Sequence, residues 1–131
     1  MQNLWTEDDV LMLAKTVYGE ARSSSIPTDQ KAAVIWCILN RVDAGRGTIE
    51  EVITAPNQFA GYNPEHPVTE ELHVLAHDVL NRWQLEHEGE TEVGRTLPAD
   101  YLYFTGDGKR NNFTKEWQSG PVWDWSLPSP Y

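Results

Sequence analysis

The segment VYGEAR, residues 17–22, places a carboxylate, Glu20, directly after a tyrosine and a glycine, where an apolar-striped helix gives way to a polar turn. Val10, Leu13, Ala14, Val17 and Ala21 fall on one stripe at ~100° per residue, and Glu20 lands beside Leu13 at its edge, half in and half out. Partial desolvation raises the pKa of a carboxyl group, and a raised pKa suits a general acid working near neutral pH. Such a group can protonate a glycosidic oxygen. Glycoside hydrolysis normally adds a second carboxylate about 5 to 9.5 Å away; Asp107, Glu50 and Glu51 are the nominal candidates. The residues by themselves leave a second reading open, in which Glu20 is a helix-end salt-bridge or capping group.

Other chemistry is thinly marked. The sequence holds no glycine-rich phosphate loop, HExxH, CxxC or GxSxG. His73 and His77 have the i, i+4 spacing of zinc ligands, but no third ligand announces itself and both lie to one side of the apolar stripe, which favours a solvated rim. No metal site and no cofactor are expected. Cys37, the one cysteine, lies in the apolar run AAVIWCIL and reads as a small buried hydrophobe. The acidic run 87–92, HEGETE, reads as a solvated helix end and loop.

Four helices and a hairpin must position these groups. Thr6 with Asp9 resembles a capping box and opens a helix over 7–21; Pro27 precedes a second over 28–43, apolar on nearly every side from Ala32 to Leu39 and therefore the spine of the core. Thr48 with Glu51 caps a short helix ending near Pro56, and Thr69 opens another over 69–88 that Gly89 stops. PNQFAGYNPEHP, with three prolines, is a structured loop of the kind that lines sites. DYLYFTGDGKRNNF alternates around a Gly-Asp-Gly turn as a short β-hairpin, and the aromatic tail WQSGPVWDWSLPSPY is expected to wrap the surface. The expected class is mainly α (α+β), and 131 residues with 40% hydrophobic content fit a single domain over 1–131.

A net charge of −10, from 10 basic and 20 acidic residues, argues against a nucleic-acid partner and predicts weak attraction to anionic surfaces. MQNLWTEDDVLMLAK has no basic leader, and charges interrupt its apolar positions, so neither signal peptide nor membrane insertion is expected.

YGEAR, AAVIWCILNRV, NQFAGY and LYF, in that order between about Ala14 and Phe104, together resemble the SleB/CwlJ-like cell-wall hydrolase family. The resemblance implies a lysozyme-like fold, peptidoglycan glycan strands as partner, and Glu20 as catalytic acid. It also implies lytic transglycosylase chemistry, in which one carboxyl group serves as acid and then base; the absence of a clear second acid tilts the reading the same way, with a hydrolytic muramidase or a non-catalytic glycan-binding or partner-binding module as alternatives. Around the acid, Gln58 and Asn40 are expected to bind sugar hydroxyl or N-acetyl groups, with capping or bracing of the NRV helix end the competing role of Asn40. Tyr18, Phe59, Tyr62, Tyr103 and Phe104 would form apolar or stacking walls, with core packing the competing role of each ring. Arg41 is expected to pair with a carboxylate. The sequence departs from the family pattern in SSSIPTDQ after YGEAR and in QFAG for the usual QFS, near the presumed cleft. A short, leaderless, single-domain chain resembles a phage lysin more than a sporulation protein, made in the cytoplasm, acting on the wall after release, and expected to be monomeric.

Overall fold

The computed structural model describes residues 3–21, 26–56, 59, 61–106, 111–116, 120–125 and 127–131. The chain is mainly α-helical with one short antiparallel hairpin, in the order α1 (Glu7–Ala21), α2 (Thr28–Asp43), α3 (Ile49–Thr54), α4 (Glu70–His87), β1 (Tyr103–Gly106) and β2 (Asn111–Thr114).

Local chemistry sets the helix boundaries. At the start of α1, Thr6 N–H donates to Asp9 Oδ2 at 2.9 Å and Asp9 N–H to Thr6 Oγ1 at 3.3 Å, a reciprocal box built with Asp in place of the usual Glu. Thr48 and Glu51 make the standard version for α3, with both bonds at 3.1 Å. Thr69 caps α4 through its hydroxyl and Leu72 N–H. Pro27 gives α2 no side-chain cap; its carbonyl accepts from Gln30 and Lys31 instead. Past the end of α4, Gly89 takes a φ of 101°, a left-handed conformation that a glycine adopts without strain.

Helix α2 is the spine. Every residue from Lys31 to Arg41 is buried, because α1, α3, α4 and β1 all pack on it. Trp36, Ile35, Ile38 and Leu39 fill its faces, each worth about 1.5–3 kcal/mol of burial. Val10, Leu13, Ala14 and Val17 of α1 and Leu72, Leu75, Ala76, Val79 and Leu80 of α4 complete one continuous core. None of the described helices is long and apolar enough to cross a membrane.

The hairpin pairs Tyr103 with Thr114 and Phe104 with Phe113, and the Phe113 side chain is sealed inside. From there the tail returns over the domain, as its aromatic content implies. Trp123 N–H donates to Phe113 O at 2.8 Å, the Trp125 ring stands edge-on to Phe113 at 5.7 Å, and Tyr131 donates its hydroxyl to Asp78 on α4. Trp123 and Trp125 are half-buried and pack against the core; Trp117, the third tryptophan of the tail, lies outside the described residues.

Candidate active site

Glu20 is the penultimate residue of α1 and half-buried. Its Oε1 accepts the backbone N–H of Gly61 at 2.8 Å, a contact between residues 41 positions apart. Two glycines make the approach possible. A Cβ on Gly19 would sit 1.7 Å from Gly61 O, and a Cβ on Gly61 would sit 2.8 Å from the Glu20 carboxyl carbon. The last turn of α1 and the loop therefore meet backbone to backbone, and neither position has room for a side chain.

The same loop is held again one turn earlier on α1. His66 Nδ1 lies 3.3 Å from Lys15 O, and its ring packs 5.1 Å from that of Tyr18. Within the loop, Tyr62 N–H donates to Phe59 O, and Asn63 closes an Asx turn by accepting from Glu65 N–H through Oδ1. Glu20 thus faces a loop fixed at two levels.

Phe59 anchors the loop to the other side of the site. It is buried, 5.8 Å from Phe104, with the Arg41 guanidinium 4.7 Å above its ring. Arg41 donates from Nε to Leu102 O at 2.6 Å and also covers Tyr103 at 5.2 Å, so it ties α2, the loop and β1 together. Burial holds its pKa below the usual guanidinium value. Tyr103 is half-buried and accepts at its hydroxyl from Arg46 Nη2 at 2.8 Å.

Comparison with protein-family models, curated proteins and solved structures finds no match for this chain.

The expected site residues divide. Glu20, Tyr18, Phe59 and Tyr62 come together at the contact between α1 and the loop, and Phe59 carries it on to Phe104 and Tyr103. Phe59 is packed inward, while Tyr62 and Tyr103 remain half-exposed. Asn40 takes its alternative, bracing role. It is buried, its Nδ2 donates to Pro98 O and Tyr101 O, both at 2.9 Å, and its Oδ1 accepts from Arg95 Nη1 at 2.9 Å. Both amide hydrogens are committed inside the fold, where they brace the 95–102 segment. Gln58 and Asp107 lie outside the described residues.

Glu50 and Glu51 line a 610 Å³ depression with Thr6, Asp9 and Trp83. Asp9 is eleven residues before Glu20 on α1, about 16 Å along the axis, so that depression lies toward the opposite end of the helix. Glu51 is already engaged as the α3 cap. His73 pairs with Glu7 at 2.6 Å and His77 stands edge-on to Trp5 at 4.7 Å; among the described residues no three metal-capable side chains cluster. The Gly19–Gly61 pair is what sequence reasoning missed. Both glycines stand in quoted motifs, but only their meeting gives them a role.

Proposed function

We propose that this chain cleaves the β-1,4 link between MurNAc and GlcNAc of peptidoglycan as a lytic transglycosylase on a lysozyme-like fold, with Glu20 as acid and then base. The observation that carries the reading is the half-buried carboxyl of Glu20, oriented by a backbone donor from the loop that follows α3. The four motifs that resemble those of the SleB/CwlJ-like family suggest the substrate class.

In this reading the Glu20 carboxyl gives its proton to the glycosidic oxygen as the bond to C1 of MurNAc breaks, and GlcNAc leaves as an alcohol. The carboxylate so formed takes the proton of the MurNAc 6-hydroxyl while that oxygen closes on C1, which regenerates the acid and leaves a 1,6-anhydro end. Water is not consumed. Glu50 and Glu51 lie toward the far end of α1, which removes two of the three nominal second acids of a hydrolytic muramidase; the third, Asp107, lies outside the described residues.

Mass spectrometry of soluble products from purified peptidoglycan tests the reading. Wild type is expected to release 1,6-anhydro-MurNAc ends, and Glu20→Gln, nearly isosteric, to lose activity by ~10²-fold or more. Reducing MurNAc ends would make the enzyme a muramidase. Equal activity in Glu20→Gln would remove Glu20 from the chemistry, and the absence of products on every peptidoglycan tried would leave a glycan-binding module.

A further inference from the structure

We propose that the Gly61 backbone N–H is the positioning group of the Glu20 carboxyl and divides its two oxygens between two tasks, Oε1 held by the loop and Oε2 carrying the proton to and from the glycan. The inference rests on the reading of Glu20 as the acid and adds to it a residue and an atom.

The argument begins with Oε1. It accepts Gly61 N–H at 2.8 Å in a half-buried position, and an oxygen whose lone pair meets an N–H cannot present a proton to that same N–H. The carbonyl-type oxygen of a protonated carboxyl is the stronger acceptor of an N–H, so this bond favours the acidic hydrogen on Oε2. The terminal torsion of a glutamate is broad, so an unanchored carboxyl would sample many orientations; the bond to Gly61 selects one. As the proton leaves, the N–H already points at the charge that develops, and nothing has to reorganise.

The donor is itself held firmly. Gly19 lets the loop backbone reach α1, where any Cβ would stand 1.7 Å from Gly61 O, and His66 fixes the loop again at Lys15. A methyl group at Gly61 would stand 2.8 Å from the Glu20 carboxyl carbon. Gly61→Ala therefore keeps the N–H but pushes the carboxyl out of line, whereas Gly19→Ala pushes the loop away from the helix.

Two measurements test this on the full chain. The first follows the Gly61 amide proton by NMR against pH. Its resonance is expected to move with the titration of Glu20 and to stay flat in Glu20→Gln; among the described residues, His66, Lys15, Tyr18 and Tyr62 are ionisable groups near this contact, and being present in both proteins they cancel in the comparison. The second measures kcat and KM on soluble peptidoglycan strands. Gly61→Ala is expected to lower kcat by ~10²-fold with KM within a few-fold of wild type, in a protein with an unchanged circular dichroism spectrum. A Gly61 amide that moves identically in wild type and Glu20→Gln overturns the proposal, as does a Gly61→Ala enzyme with wild-type kcat. Either result leaves Glu20 as acid untouched, whereas an active Glu20→Gln overturns that reading itself. Should Gly61→Ala fail to fold, the amide titration decides on proteins that retain both glycines.

Discussion

Asn40 carries a neutral amide within the most enclosed helix of the molecule, so its bonds to Pro98, Tyr101 and Arg95 are made where water cannot replace them. Replacing it with Ala strands the Tyr101 carbonyl and a guanidinium hydrogen, while Pro98 O keeps the Tyr101 N–H at 3.3 Å, and Asn40→Ala is expected to cost roughly 2–4 kcal/mol in urea denaturation. Turnover per folded molecule should stay near wild type, because no Asn40 donor is left for a sugar. A large rise in KM with stability intact would instead return Asn40 to the binding site. The sequence marked this asparagine as polar and near the end of a helix, which fits a ligand and a brace equally well. Only the return of the chain at 95–102 chooses between them. Glu20 was more legible, because its place at the border of the α1 stripe follows from helical period alone. Its partner was not, since a hydrogen bond to a backbone N–H 41 residues away leaves no mark in the side-chain pattern.

The elements were easier to read than the site, for a physical reason. Caps and apolar period act within a few residues, and α1, α2, α3 and α4 begin where Thr6, Pro27, Thr48 and Thr69 place them. The capping box of α3 has a measurable consequence. Six residues are too few to hold a helix by propensity, so α3 depends on its cap and on the burial of Ile49, Val52 and Ile53. Thr48→Ala is expected to destabilise the protein by about 1 kcal/mol, a fall in thermal midpoint of a few degrees by calorimetry. Thr48→Ser, which keeps the acceptor oxygen, should recover most of the loss, and an equal loss in both variants would show that the methyl packing matters and the cap does not. The hairpin was legible as a pattern, but its register was not: pairing Phe104 with Phe113 depends on burying Phe113 beneath Trp125 and the rest of the tail.

On the scale of the whole molecule, α2 is surrounded so completely that its chemistry reports global opening. Burial pushes the Cys37 thiol up to about 12, so at pH 8 it is neither ionised nor reachable. Labelling by a thiol reagent is expected to be slow in native protein and to accelerate in step with urea unfolding. Fast labelling well below the unfolding midpoint would mean that α2 opens locally.

The junction of α4 with the returning chain supplies a pH counterpart. Arg95 donates to both Glu86 oxygens at 2.8 Å, to Asn40 and to Leu97 O, and lies 4.3 Å over the Trp36 ring, so one exposed-edge ion pair is continuous with the core. The hydrogen bonds from Arg95, with its charge behind them, hold the Glu86 pKa below the ordinary 4.5. A carboxyl depressed in the folded state adds stability that is fully present above the unfolded value and is lost as pH falls through the folded one. The loss from this pair therefore begins below about pH 4.5. Acid also relieves the repulsion of a chain at −10, which acts in the opposite direction and would mask the effect in wild type alone. Glu86→Gln shares that background and lacks the titrating group, so subtraction isolates the pair. The thermal midpoint of wild type is expected to exceed that of Glu86→Gln at pH 6, and the gap to narrow progressively as pH falls below about 4.5. A gap that does not change with pH would assign the contribution of Glu86 to packing against Arg95 and not to its charge.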